Sequence, residues 1–349
     1  MLKKYFARAN TSSGCINLLK NNLKNIDTVY ILDGKSKTAK TKLMAAVAGY
    51  FDSCSKDVEC IYSPFDITKL DAVIIRGFKF AIADRCCIED GQYTLNTDNF
   101  IDTRRLDVTE DYLNGLSEMS QKAYSKLYTA YEKAKQIHDE WEKIYISSID
   151  FDRLNSYCAG LISQLISSKN ARKDSNKFER FFGASTMDGS VNYINNITAG
   201  LDRRYFIKGR PGTGKSTFLK KLANAALSAG YSMEVYYCSF DKNSLDMVLV
   251  PELSFCVFDS TAPHEMFPSE ERDSILDFYT EGGLTGIDEK YKKQLELINK
   301  KYSFRIYEGT ANLRIGNGYE LEREYYLSRA TNYEEISKLA DKIIRKVTQ

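Results

Sequence analysis

The chain has 349 residues, 43% of them hydrophobic, which is enough to form the cores of two or three domains. Its formal net charge of +2 gives no basic excess that would attract nucleic acid or anionic lipid. Two histidines in total, His138 and His264, exclude a histidine-rich metal site, and eight cysteines without a C-x-x-C pair favour small buried side chains over disulfides. The sequence has no apolar run of membrane-spanning length and no signal-like amino terminus, so we expect a cytoplasmic protein.

The first segment with recognisable chemistry is the stretch Gly34–Thr41, which reads Gly-Lys-Ser-Lys-Thr-Ala-Lys-Thr. It keeps the first glycine, the lysine (Lys40) and the hydroxyl (Thr41) of the phosphate-binding pattern G-x-x-x-x-G-K-[ST]. The second glycine is replaced by Ala39, so a side chain stands where the backbone should approach phosphate. We therefore predict weak or absent nucleotide binding by this part of the chain.

A long helix is the next predicted element. Residues 111–144 carry apolar side chains at alternating spacings of three and four, which is typical of a helix that packs lengthwise on another helix. His138 falls one residue beyond this seam, and we expect it on the solvated surface. An amphipathic helix follows around residues 151–161, and the polar stretch Ser167–Lys177 is typical of a linker between two halves.

The segment around residue 209 matches the full phosphate-loop pattern. A strand-like run, Arg204–Lys208, precedes it, and helical periodicity follows over residues 217–227. Such a strand, loop and helix can wrap a polyphosphate in backbone N–H groups, and the loop glycines permit this because they lack a Cβ. The predicted binding residues are Gly209, Arg210, Pro211, Gly212, Thr213, Gly214, Lys215, Ser216 and Thr217.

Three side chains would complete a magnesium and phosphate site. Lys215 would place its ammonium between the β- and γ-phosphates, and the Ser216 hydroxyl would bind Mg²⁺. The apolar run Leu253–Phe258 ends in Asp259, an arrangement that brings a carboxylate to the metal from a neighbouring strand. We predict ATP and Mg²⁺ as ligands, because no N/TKxD-like guanine signature follows Asp259.

Asp241 and His264 are further catalytic candidates, each with a structural alternative. Asp241 follows the strand-like run Glu234–Cys238, where it would either accept a proton from a phosphate acceptor or cap a helix. His264 lies in a proline-containing loop, where it would either orient water near the γ-phosphate or only bond the loop backbone. Arg210 and Arg85 are weaker candidates for stabilising phosphate charge.

The last part of the chain predicts a second helical region. Residues 288–305 repeat the seam spacing, but Gly309, Gly316 and Gly318 predict that this helix is shorter and broken. Residues 333–343 are typical of a closing amphipathic helix, as in the first half.

A shift of 175 residues aligns the two halves without a gap over roughly eighty positions. Gly212 and Gly214 fall on Lys37 and Ala39, so the phosphate loop is intact only in the second half, unless Lys37 itself adds phosphate affinity. Matching pairs include Phe6 and Phe181, Gly34 and Gly209, Lys40 and Lys215, Glu59 and Glu234, Asp71 and Asp246, and Asp84 and Asp259.

With the loop, the block Phe240–Asp246 and the segment Asp259–Glu265, the chain resembles a family of uncharacterised bacterial tandem P-loop proteins, described only as ATPases or ATP-binding proteins. The likeness spans most of the chain and is strongest over residues 186–268. Both halves of that family commonly carry a glycine-rich phosphate loop, and the first half of this chain departs from that. The resemblance implies a P-loop fold and nucleotide binding, without a particular substrate.

Together these patterns predict tandem duplicated α/β P-loop domains at residues 1–172 and 173–349, with mainly parallel sheets, flanking helices and long helical insertions. We expect a slow Mg-dependent ATPase that acts as a nucleotide-dependent switch, with a possible protein partner on the helical arms. Hydrolysis should be slow because Ser260, and not glutamate, follows Asp259, unless Glu265 or Asp241 substitutes for that glutamate. The alternatives are a small-molecule or nucleotide kinase and a non-hydrolysing interaction module; no membrane or nucleic-acid partner is expected.

Overall fold

The computed structural model describes residues 2–166 and 175–349, which form two six-stranded mixed sheets flanked by helices. The predicted α/β class with mainly parallel sheets is confirmed. The predicted boundary between residues 172 and 173 lies outside the described residues, as does the predicted linker up to residue 174. None of the described helices combines the length and apolar character needed to cross a bilayer.

The first sheet comes from the N-terminal half. The elements of this half are β1 (Leu2–Phe6), β2 (Arg8–Thr11), β3 (Gly14–Asn17), α1 (Leu19–Asn22), β4 (Thr28–Asp33), α2 (Lys37–Ser53), β5 (Val58–Tyr62), β6 (Leu70–Ile75), β7 (Phe80–Asp84), β8 (Tyr93–Asn96), α3 (Glu110–Ile146) and α4 (Phe151–Leu165). The strand order is β1-β5-β6-β7-β4-β8. Strand β6 runs antiparallel to both neighbours, and the other pairs are parallel.

The second sheet has the same connectivity. The elements of this half are β9 (Lys177–Arg180), β10 (Gly183–Thr186), β11 (Gly189–Asn192), α5 (Ile194–Ile197), β12 (Arg203–Lys208), α6 (Lys215–Ser228), β13 (Met233–Tyr237), β14 (Leu245–Val250), β15 (Phe255–Asp259), β16 (Asp273–Asp277), α7 (Phe278–Glu281), α8 (Ile287–Lys290), α9 (Lys292–Ala330) and α10 (Tyr333–Thr348). The order is β9-β13-β14-β15-β12-β16, with β14 as the antiparallel strand.

Residues 175 apart lie at corresponding places in the central strands, and we call such residues counterparts. Adding 175 to Thr28–Asp33 gives Arg203–Lys208, so β4 corresponds to β12 over its full length. The same shift converts β6 into β14 and β7 into β15. Strands β6, β7, β14 and β15 are buried over nearly their whole length because both faces of each sheet are covered.

Three large apolar clusters cover the sheets. One cluster draws on a face of both sheets and therefore joins the halves. The other face of the first sheet is covered by α2 together with α10, from the far end of the chain. The other face of the second sheet is covered by α6 together with α4. The closing helices are thus exchanged: α4, which ends the first half, packs on the second sheet, and α10, which ends the second half, packs on the first.

Helices α3 and α9 pack along each other in opposite directions. Near one end of the pair, the Tyr112 hydroxyl bonds Glu322; near the other, the rings of Trp141 and Tyr302 lie 6.1 Å apart. In the middle, the Tyr124 hydroxyl donates to the Asn317 Oδ1 at 2.6 Å. The predicted long helix over residues 111–144 is confirmed as α3.

The prediction of a broken second helix is wrong. Helix α9 runs without interruption over 39 residues, through all three glycines. A Cβ on Gly309 would lie 2.3 Å from the Tyr131 ring, and one on Gly316 would lie 2.4 Å from the Tyr124 ring. These glycines permit close helix packing, and this packing outweighs the poor helix propensity of glycine.

Substitutions at two glycines of α9 should therefore have opposite effects. Gly316→Ala should lower the free energy of unfolding by roughly 1–3 kcal/mol, because the Tyr124 ring must move. Gly318→Ala is the matched control, since a Cβ there meets nothing within 4 Å. It should raise the free energy by up to about 1 kcal/mol through helix propensity. Thermal unfolding followed by circular dichroism would measure both, and equal shifts would contradict the packing explanation.

Candidate functional site

The loop between β12 and α6 adopts a backbone shape that depends on glycine. Gly212 has φ 78° and Gly214 has φ 81°, both in the left-handed region. A Cβ on Gly212 would also lie 2.7 Å from the carbonyl oxygen of Glu142, in the last turns of α3. The carboxyl end of α3, which belongs to the first half, therefore lies directly on the loop of the second half.

The loop presents backbone donors at the start of α6. Helix α6 begins at Lys215, and its first turn carries no acidic side chain. Among the described residues, no acceptor bonds the amides of Gly214, Lys215 or Ser216. These donors at a helix amino terminus form the kind of environment that favours an anion.

Lys215 and Asp259 are brought together as the sequence predicts. The Lys215 ammonium donates to the Arg210 carbonyl at 2.9 Å and lies 3.6 Å from the Asp259 carboxylate. They meet because β12 and β15 are neighbours, with Ile207 opposite Asp259. Asp259 also accepts from the Thr261 amide and hydroxyl at 3.1 and 2.6 Å, which fixes the carboxylate.

The remaining predicted loop residues lie around this pair. The Ser216 hydroxyl accepts from the Leu245 amide at 2.8 Å, which still leaves it a lone pair. The Thr213 hydroxyl donates to the Arg210 carbonyl at 2.8 Å and so closes the loop. Gly209 and Pro211 are partly buried residues of the same loop, Thr217 is exposed on the first turn of α6, and the Arg210 guanidinium pairs with Asp288.

Asp241 makes a turn, and the prediction of a helix cap is wrong. Its carboxylate accepts from the Asn243 amide at 2.9 Å, and the chain then enters β14 without an intervening helix. The Lys135 ammonium of α3 lies 3.3 Å from the same carboxylate. Asp241 therefore stabilises a turn through the Asn243 amide and contacts α3 through an ion pair with Lys135.

Of the two histidines, His264 is buried and His138 is half-buried. His264 is 7% exposed, its ring lies edge-on to Phe182 with centroids 5.0 Å apart, and its Nδ1 has no partner in the described part of the chain. Burial lowers the pKa of His264 to about 4, so it is neutral near pH 7. The prediction that His138 is solvated is wrong, because it packs beside Trp141 and Phe240, and burial lowers its pKa.

Asp246 also belongs to this site, although the local sequence pattern predicts no role for it. Met247 pairs with Phe258 in the antiparallel β14 and β15, so the next pair along the same register is Asp246 with Asp259. Asp246 is 6% exposed, and burial together with the neighbouring Asp259 raises its pKa to about 7. The sequence feature that could have indicated its role is the repeat: the counterpart of Asp246 is also an aspartate, Asp71, although neighbouring residues differ between the halves.

The corresponding loop of the first half has its donors filled from within the chain. The Lys37 and Thr38 amides donate to the Glu324 carboxylate at 2.7 and 2.9 Å. The Lys35 amide donates to Asp98 at 2.7 Å. A carboxylate from α9 therefore takes the position that an anion would take at this helix start.

Arg85, predicted as a distant contributor, stays in the first half. It donates to the Glu89 carbonyl at 2.7 Å and to the Thr94 hydroxyl at 3.1 Å. These contacts hold the segment between β7 and β8, and they do not direct the guanidinium to the second loop.

No protein-family model, curated protein or solved structure matches the chain. A functional proposal must therefore come from the geometry of the site, and the resemblance to tandem P-loop proteins stays a prediction.

The pH dependence of stability should reveal the environment of Asp246. Because its pKa is higher in the folded chain than in the unfolded chain, its ionisation opposes folding increasingly as pH rises from 4 towards 7. Asp246→Asn removes this cost. In EDTA, its stability relative to the wild type should rise by on the order of 2 kcal/mol between pH 5 and pH 7. A constant difference in melting temperature across this range would contradict the shifted pKa.

Proposed function

We propose that the chain is a nucleoside triphosphate-binding protein of the P-loop type, formed by tandem duplication, that binds ATP with Mg²⁺ at the loop of residues 209–217. The observation that carries the proposal is the open row of amides at the start of α6, with Lys215 and Asp259 beside it. A phosphate chain would satisfy these donors, and the ammonium would balance its charge.

One nucleotide per chain is the expected stoichiometry. In the first half, Glu324 bonds the amides of Lys37 and Thr38, and its negative charge would repel a phosphate. The Lys40 ammonium is bound to the Asp84 carboxylate at 2.9 Å and is not free for a ligand. Lys37 and Ala39 stand where the second half has Gly212 and Gly214, which also predicts weak or absent nucleotide binding by the first half.

The loop contacts favour a switch over a rapid hydrolase. The end of α3 lies on Gly212, so phosphate contacts that reshape the loop would be transmitted to α3 and, along it, to α9. The residue after Asp259 is Ser260, which is buried and donates its hydroxyl to the Met266 carbonyl. No carboxylate therefore follows Asp259 directly in sequence to activate water. We propose slow ATP hydrolysis that times a change in the helical arms.

The charge contact of Lys215 should decide nucleotide affinity. Lys215→Met should weaken binding of a fluorescent ATP analogue roughly 10- to 100-fold, because a charged hydrogen-bond donor to phosphate is lost. Lys40→Met, at the counterpart position, is the matched control and should leave the affinity unchanged. Both titrations use the full chain in EDTA, with circular dichroism to verify folding.

Equal affinity in Lys215→Met and the wild type would contradict the proposed loop. Phosphate release measured with excess ATP and Mg²⁺ then separates the activities. Slow release that disappears in Lys215→Met supports a switch. Release that is absent in the wild type indicates an interaction module, and turnover that requires an added acceptor indicates a kinase.

A further inference from the structure

The acid pair of Asp246 and Asp259 has a counterpart that is neutralised within the chain. In the first half, the Lys37 ammonium bridges Asp71 and Asp84, at 2.8 Å from each carboxylate. The Arg8 guanidinium adds a bidentate contact to Asp71 at 2.7 and 2.8 Å. In the first half, the ammonium of a lysine side chain therefore lies between the two carboxylates.

Both of these cationic residues are glycine in the second half. The counterpart of Arg8 is Gly183, since 8 + 175 = 183, and that of Lys37 is Gly212, since 37 + 175 = 212. Their loss leaves the acid pair of the second half with the charge of Lys215 alone.

The resulting charge difference equals that of one divalent ion. In the first half, three cations face two carboxylates, for a net charge of +1: Arg8, Lys37 and Lys40 with Asp71 and Asp84. In the second half, one cation faces two carboxylates, for a net charge of −1 when both are ionised: Lys215 with Asp246 and Asp259. A divalent cation would restore the balance that the first half achieves with side chains.

We propose that Asp246 and Asp259 bind a divalent cation of the Mg²⁺ class at the place that the Lys37 ammonium takes in the first half. The proposal rests on the proposed function only for the role of the ion, which would neutralise phosphate; binding of the ion itself requires no nucleotide. It adds Asp246 as a ligand, beside Asp259 and the Ser216 hydroxyl.

The surroundings of Asp246 independently point to a missing partner. Its side chain is more than nine-tenths buried, and burial and the neighbouring Asp259 outweigh the Lys215 charge and the Cys238 thiol, a weak donor, that favour its ionised form, so its pKa is raised. A buried carboxylate without a strong donor is costly unless a cation pairs with it. Carboxylate and hydroxyl oxygens are hard ligands, which suit Mg²⁺ or Mn²⁺.

A second acidic cluster on α3 is a weaker candidate for the same ion. Ligand atoms of His138, Asp139 and Glu142 lie within 4.8 Å of one another. However, the Lys135 ammonium already pairs with Asp139 and lies 3.3 Å from Asp241. This cluster carries its own cation, so it has less need of an ion.

Titration of Mn²⁺ into the full chain without nucleotide would test the proposal. Electron paramagnetic resonance reports free Mn²⁺ directly, so the loss of signal counts bound ions. We expect one ion per wild-type chain, and at least tenfold weaker binding in Asp246→Asn and in Asp259→Asn. Asp139→Asn is the control for the α3 cluster and should bind as the wild type does.

Three outcomes would overturn the proposal: no bound Mn²⁺ in the wild type at millimolar concentration, unchanged binding in Asp246→Asn, or binding that is lost in Asp139→Asn. Circular dichroism of each variant shows whether a loss reflects unfolding; if Asp246→Asn does not fold, Asp259→Asn decides. The nucleotide titration in EDTA is independent of this ion. Nucleotide binding without Mn²⁺ binding therefore defeats only this inference, and Mn²⁺ binding without nucleotide binding defeats only the proposed function.

Discussion

A backbone bridge between the end of β1 and the residue after β9 joins the two sheets. Phe6 and Phe181, which are counterparts, exchange backbone hydrogen bonds of 2.9 and 2.8 Å, and both are fully buried. Beside them, the fully buried Arg180 lies between Glu59 and Glu234, one carboxylate from each half. Arg76 and Lys3 pair with the same two carboxylates, so these charges form a buried ion-pair network that spans both halves. The position of α3 over the second loop depends on this fixed arrangement of the halves.

Each of the two glycine-started loops, at residues 34–41 and 209–217, is contacted by a helix of the other half of the chain. Along the helices the matching residues are 182 apart and not 175, because α4 begins at Phe151 and α10 begins at Tyr333. By that shift Glu324 corresponds to Glu142, since 324 − 182 = 142. Glu324 enters the first loop with its carboxylate, whereas Glu142 approaches the second loop with its backbone carbonyl. The two loops thus have the same position in their sheets, but a carboxylate side chain bonds the amides of the first loop and none bonds those of the second.

The sequence predicted those features that local pattern determines. The run before Gly209 and the periodicity after it gave β12 and α6, and the apolar run before Asp259 placed this acid beside Lys215. The course of α9 was not predictable from propensity, because its glycines are explained by tyrosine rings distant in sequence. Asp246 was missed because its role depends on residues distant in sequence: Arg8 and Lys37 pair with its counterpart Asp71, and both are glycine in the second half. The exchange of α4 and α10 was missed because periodicity shows an apolar face and not the surface that covers it.

The exchange of closing helices also affects how the protein is made. The apolar face of α2 is covered by Ile336, Ala340 and Ile343 of α10, which leaves the ribosome after every other described element. The first sheet is translated early together with α2, but the apolar surface that α10 covers stays exposed until synthesis has passed the second sheet and α9. During that interval the nascent chain exposes apolar surface that is prone to aggregation or to chaperone binding. Completion of the first half is therefore coupled to completion of the second.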